Sequence, residues 1–213
     1  MSDPSKKTVL DEIRRSLGRR PEDRIPPRPQ ILEPRQPGDQ QAEMDLLLAE
    51  IEKLSGVVRR VSPEQVEAAL ATLVEEMEVK QATLWPTTGL AQLRLEARLR
   101  SLGVKIISPC ADKHEMAHCD LGITEVDFAL PETGTLALLS SAQKPRAVSL
   151  LPRVHLAVLK PTALRADLHQ VFAEARDRNY LIFITGPSRT ADIELTVTLG
   201  VHGPKNLYVW ALP

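Results

Sequence analysis

Aromatic residues are scarce: two Trp, two Tyr and three Phe make up only 3% of the 213 residues. The core must therefore be built from Leu, Val, Ile and Ala, and no platform exists on which nucleic-acid bases would stack. Charge of one sign is lacking too. Lys and Arg total 27 against 28 Asp and Glu, a formal net charge of -1, which counts against a dedicated nucleic-acid binder. Two cysteines, Cys110 and Cys119, give no disulfide framework and cannot provide the four thiolates usual for an iron–sulfur cluster. Any such cluster in this protein's chemistry would sit on a partner chain. No apolar run approaches the roughly 20 residues of a transmembrane helix, and Lys6-Lys7 precede no apolar stretch of the kind that marks a secretory signal. The expectation is a cytoplasmic protein without a transmembrane segment.

The hydrophobic fraction of 43% suffices for a full core, and its pattern divides the chain. Val9, Leu10, Ile13 and Leu17 share one helical face. Six prolines between Gly18 and Gly38 then forbid a helix or central strand and read as an extended linker. Residues 1–40 are thus expected to form an arm, whose short helix suits a partner better than isolation in water. Residues 41–213 are expected to form one α/β domain.

Within that domain the spacing predicts helices over 42–54, from Ser62-Pro63 to Val79, and from Leu90 to Leu102. Strands are predicted at 57–61, 82–85 and 104–107. Such alternation implies parallel strands with crossovers. In the second half, strands at 128–130, 135–139 and 154–159 follow at short range, so the sheet is expected to be mixed. A helix over 163–178 leads to a strand at 180–184, and 206–210 is a last strand. Residues 190–199 alternate apolar and polar with period two, the signature of a strand. A crossover between two parallel strands is nevertheless required there, so a helix is expected.

Three loops carry the chemistry. Thr185-Gly186-Pro187-Ser188-Arg189-Thr190-Ala191-Asp192 follows a strand and offers hydroxyls, a guanidinium and the free N–H groups of an expected helix start. An anion would bind at Ser188, Arg189 and Thr190, with a ligand hydroxyl near Asp192. The second loop contains Thr124, Asp127 and Glu132-Thr133-Gly134-Thr135, where a carboxylate beside hydroxyls can act as base or nucleophile. The plainer alternative is a hairpin turn with a solvated acid. Arg146 in the third can clamp a carboxylate or phosphate, although a lone arginine is more often a surface residue. His155 reads as a satisfied core histidine. Cys110, His114, His118 and Cys119 place four soft donors within ten residues, but not at the spacing of a standard finger or ribbon. No metal is assigned to them.

The motifs from Gly122 to Ala129 and from Glu132 to Leu136, from Ser149 to His155, from Thr185 to Glu194, and from Leu199 to Pro204 occur in one order. With them the chain resembles the LUD-domain family of lactate utilization protein C, from about Asp120 to the end. The resemblance implies a three-layer α/β/α fold similar to the NagB/RpiA/CoA-transferase group, with a mostly parallel mixed sheet. It further implies a place beside iron–sulfur partner proteins in oxidising L-lactate to pyruvate. For this subunit it implies no cofactor and no catalytic role of its own. Glu132-Thr133-Gly134 is also similar to the Glu-Asn-Gly of acyl-CoA transferases, whose glutamate is the reactive carboxylate; here Thr replaces Asn and Pro131 precedes. Two functions are therefore carried forward. One is an accessory subunit binding a small anionic ligand at the carboxyl edge of the sheet. The other is a free-standing acyl-CoA transferase-like or nucleotide-using enzyme with Glu132 reactive. For the first, Thr124, Glu132, Thr133, Gly134, Arg146, Ser188, Arg189, Thr190 and Asp192 are expected to converge at one rim of the sheet, with Asp127, Thr135 and Gly186 as further candidate ligand-binding residues.

Overall fold

The computed structural model describes residues 4–19, 35–177, 180–190, 198–200 and 202–213, in two compact units, Met1–Glu33 and Pro34–Pro213. In the first unit, helix α1 spans Pro4–Ser16, with Val9, Leu10 and Ile13 exposed.

The second unit opens with α2 (Gln40–Lys53), capped by the Asp39 carboxylate accepting from the N–H groups of Gln41 and Ala42. Strand β1 (Val57–Arg60), α3 (Val66–Glu76) and β2 (Gln81–Leu84) follow. Helices α4 (Thr88–Gln92) and α5 (Leu95–Ser101) then lead to β3 (Lys105–Ile107), α6 (Lys113–Ala117) and β4 (Leu121–Glu125). Next come β5 (Phe128–Leu130), a short 3-10 turn at Pro131–Thr133, β6 (Thr135–Leu139), α7 (Ala147–Leu150) and β7 (Val154–Leu159). The chain ends with α8 (Leu168–Glu174), β8 (Leu181–Ile184), the two-residue strands β9 (Arg189–Thr190) and β10 (Thr198–Leu199), and β11 (Asn206–Ala211).

Six strands form one sheet in the order β1-β11-β7-β4-β2-β3, and every pairing within it is parallel. Its middle strand β7 is buried at all six positions, as a strand covered on both faces must be. The α/β class with a mostly parallel sheet is therefore what the molecule has. The antiparallel strands do not enter this sheet. They form a second one, β5-β6-β8, whose two faces are read off by period two. Leu136, Leu138 and Ile182 pack into the main core, while Phe128, Leu130 and Ala137 face Val171 and Ala175 on and beside α8.

Three other expectations are corrected. The helix over 90–102 is broken at Arg94, whose φ of 53° is left-handed and ends α4 before α5 begins. The helix over 163–178 shrinks to α8, because the Asp167 side chain accepts the Gln170 N–H and sets the start there. The segment 190–199 does not start as a helix: its two ends, β9 and β10, pair antiparallel, Thr198 with Thr190 and Leu199 with Arg189. Period two was the better guide at those ends, and residues 191–197 lie outside the described residues. Among the described residues no helix is long and apolar enough to cross a membrane.

Candidate functional site

In an open parallel sheet, ligands collect beyond the carboxyl ends of strands, where the connections turn in opposite directions. Here the direction changes between β2 and β4: β2 leads to β3 at one edge, whereas β4 leads on to β7 and β11 on the other side. Past the ends of β2 and β3 lies a cleft of about 710 Å³, lined by Trp85, Thr87, Arg94, Arg100, Ile107 and Ser108 among others. Arg100 is paired with Glu96 at 2.9 Å, whereas Arg94 has no ion-pair partner among the described residues. The cleft therefore carries one uncompensated positive charge. Holding a non-glycine residue in the left-handed region costs about 1 kcal/mol, and that cost falls on the residue that brings the charge.

Beside the cleft, Glu125 ends β4 and meets Lys160 at 2.8 Å. Burial alone would push the Glu125 carboxyl up. The hydrogen bonds from Lys160 and Thr87, with the charges of Lys160 and Lys144, more than offset this and hold it below the usual value. Gly89 makes room for it, since a Cβ there would overlap the carboxylate. Asp127 accepts the Leu139 N–H at 2.8 Å and both contacts of Lys144, at 2.7 and 2.9 Å. Lys144 in turn lies 4.7 Å over the Trp85 ring, whose Nε1 donates to the Pro145 carbonyl. The carboxyl edge is thus a line of alternating charges on a fixed frame.

The residues singled out from the sequence do not gather at one rim. Asp127 is at the carboxyl edge. Thr124 is buried, its hydroxyl 2.8 Å from His155 Nε2. Arg146 donates to the Tyr180 hydroxyl and stacks on its ring at 4.5 Å, at the end of β6 near Leu139. Thr133, Thr135 and Thr185 join their hydroxyls at the other end, roughly 14 Å away along the strand. Gly134 passes close over Glu50 and Ile51 of α2. Gly186 lies against Leu54, and Arg189 donates to the Leu54 carbonyl and to Ser55 Oγ. Ser188 is held by the Pro204 carbonyl and the Gly200 N–H, Thr190 is in β9, and Asp192 lies outside the described residues. The loop after β8 leads into a strand, so the free N–H groups of a helix start are not there to bind an anion. The reason lies in the topology: β8 belongs to the small antiparallel sheet, and its carboxyl end points away from the cleft.

A scan of family models matches residues 44–212 to the LUD domain. The chain belongs to the LUD-domain family. It is similar to lactate utilization protein C of Halalkalibacterium halodurans, at 29% identity over 93% of this chain and 94% of that one. It matches the protein of the same name from Shouchella clausii at 29% over 92% and 93%. Among solved structures, a DUF162 family protein from Deinococcus radiodurans shares the fold, with a TM-score of 0.62 at 19% identity over 83% of this chain and all of that one.

In this LUD domain Glu132 is tied down rather than poised. Arg35 pairs with it at 3.1 Å while gripping Glu43 with two contacts of 2.8 Å, and the Arg35 N–H donates to Asp167. Glu43 is only 8% exposed. Its carboxyl is held low, first by the Arg35 hydrogen bonds and against the opposing effect of burial. Removing Arg35 strands that charge, so Arg35→Ala should cost about 2 kcal/mol, read by urea unfolding at neutral pH. A loss below about 0.5 kcal/mol would place the pair among ordinary surface bridges. Lys160, Thr87 and Gly89 belong to none of the three loops singled out from the sequence. Their signal was positional, each lying just beyond the end of a strand in a parallel sheet. Cys110 is exposed and Cys119 buried, its thiol pushed up to about 11 by burial and by Asp120 and Glu115. Among the described residues no group of three or more His, Cys, Asp or Glu is placed to hold a metal ion.

Proposed function

We propose that this LUD-domain chain acts as the lactate utilization protein C-like subunit of an assembly that oxidises L-lactate to pyruvate. It binds a small anionic ligand in the cleft at the carboxyl edge. The observation that carries the reading is the end-to-end match to relatives named lactate utilization protein C. The unpaired Arg94 in a cleft of about 710 Å³ supports the anion. Oxidation of lactate releases two electrons and two protons, and this chain has no donor set for an iron–sulfur cluster, with two cysteines of which one is buried. The family resemblance assigns those electrons to iron–sulfur partner proteins, and this chain contributes binding and assembly. No observation favours Glu132 as a reactive carboxylate, since it is 60% exposed and paired with Arg35.

Deleting the gene should abolish lactate-dependent growth, and the wild-type chain should restore it and co-purify with iron–sulfur proteins. Unchanged lactate oxidation in the deletion strain would end the proposal. Arg94→Gly separates the ligand from the fold. The variant should hold or slightly raise the melting temperature, because glycine relieves the left-handed conformation. It should also weaken lactate or pyruvate binding by about tenfold, measured by calorimetry. Equal affinity in both proteins would remove Arg94 from the site.

A further inference from the structure

The small antiparallel sheet ends in an open edge. Its order is β5-β6-β8, so β8 has β6 on one side and, among the described residues, no strand on the other. The register fixes which backbone groups face outward. The Ser140 N–H donates to the Tyr180 carbonyl, and antiparallel partners exchange hydrogen bonds at every second residue. Ile182 and Ile184 therefore bond to Leu138 and Leu136, whereas the N–H and C=O groups of Leu181 and Phe183 point away from β6. The Ala137 carbonyl, opposite Phe183, turns the other way and accepts from the Asp127 N–H, as the alternation requires.

This edge is also undefended. Natural edge strands carry a lysine, a proline or a bulge that keeps other strands off. Tyr180-Leu181-Ile182-Phe183-Ile184-Thr185 has no charge, no proline and no glycine. Phenylalanine is rare in this chain, at three residues, yet two of them stand here in the open. Phe183 on β8 is 39% exposed and Phe172 on α8 is 56% exposed. Their rings meet edge to face with centroids 6.0 Å apart. Leu168, one turn before Phe172 on the same helix face, is exposed too. An aromatic pair beside unpaired backbone groups has the composition of an interface core.

The pattern is complementary to itself. Laid antiparallel on a second copy about a twofold axis at Ile182, the strand sets Leu181 of each molecule opposite Phe183 of the other. Every outward donor and acceptor of those residues then finds its partner. A charge on the edge would meet its own copy across the axis, and this edge bears none. Each phenylalanine carries roughly 200 Å². The half-exposed rings, Leu168 and the strand backbone therefore cover on the order of 1,000 Å² in a pair of molecules, the lower bound for a specific contact. We propose that β8 pairs with β8 of a second copy of this chain, merging the two small sheets into one, with Phe172 and Phe183 of both copies closing its apolar core. Such an area gives a weak dimer that forms and dissociates with concentration. The contact uses no residue that lines the cleft, so losing it leaves ligand binding there unchanged.

Sedimentation equilibrium of the full chain, from about 1 to 200 μM, is the test. The wild type should pass from monomer to dimer within that range. Phe183→Lys puts a charge on the edge, and Phe172→Ser removes the neighbouring ring from a mostly exposed position. Each should weaken the dimer about tenfold or more with the circular dichroism spectrum unchanged. Cross-linking reads the register. Ile182→Cys in a Cys110→Ser background should form a disulfide between copies under mild oxidation, because paired residues at the axis stand about 4.5 Å apart at Cα. A wild type that stays monomeric, a dimer that both Phe183→Lys and Phe172→Ser leave equally tight, or a folded, dimeric Ile182→Cys protein that does not cross-link would overturn the proposal.

Discussion

Replacing Gly122 with alanine is expected to lower the unfolding free energy by about 3 kcal/mol or more, a large share of a typical domain's stability. Gly122 is the second residue of β4, paired with Thr83 on one side and His155 on the other. A Cβ at this position would overlap the Val148 carbonyl oxygen and come within 3.0 Å of Pro152 Cγ. The obstacle is backbone, which cannot swing aside as a flexible side chain does. Either β4 leaves its register between two buried neighbours, or α7 lifts off the sheet. Both uncover apolar core, since Val148 is fully buried. Chemical denaturation of Gly122→Ala beside wild type measures the loss. Gly103→Ala is the useful control, because a Cβ there meets nothing within 4 Å and only its φ of 80° resists. It should cost about 1 kcal/mol. Comparable losses in the two variants would mean that α7 yields easily, and that close packing at Gly122 is not what fixes the helix.

Local patterns located β2, β7 and β11 because a buried parallel strand announces itself as a short apolar run between breaks, and the partly exposed edge strands β1 and β3 by Val57-Val58 and Ile106-Ile107. Residues 154–159 are the clearest case. They also located α2 and the 3-10 turn at Pro131–Thr133 as a break between strands. What periodicity does not carry is which sheet a strand joins. β5, β6 and β8 look like β7 in composition, yet they pair among themselves, and with that the loop after β8 leaves the carboxyl edge. The expected convergence of positions 132, 146 and 188 rested on a single sheet. Helix ends were lost for a different reason. The cap at Asp167 and the left-handed turn at Arg94 are decided by single side-chain and backbone geometries that an apolar repeat does not encode. Glu125 and Lys144 stood within the loops singled out. They were overshadowed by Glu132 and Arg146, whose motifs were more conspicuous and whose partners, Arg35 and Tyr180, are visible only in three dimensions.

Acid should destabilise this protein earlier than its carboxylates alone would, and His155 is the reason. Burial lowers the His155 pKa from 6.5 to about 3, so the native state refuses a proton that the unfolded chain accepts. The contribution is complete above the unfolded value and is lost progressively as pH falls through the interval down to about 3. At pH near 5 the loss is about 2 kcal/mol, and over the whole interval about 4–5 kcal/mol. Glu43 and Glu125 have lowered values. Each contributes stability that is full above its unfolded pKa, close to 4.5, and disappears only as pH drops below that. The window between pH of about 6.5 and 5 therefore isolates the histidine. Denaturation midpoints of wild type should fall across that window, whereas those of His155→Gln, lower to begin with, should stay nearly flat. Parallel slopes in the two proteins would show that His155 takes up its proton in the folded state. That result would require water or a mobile wall beside Nδ1, and would contradict the closed packing on which its neutral form depends.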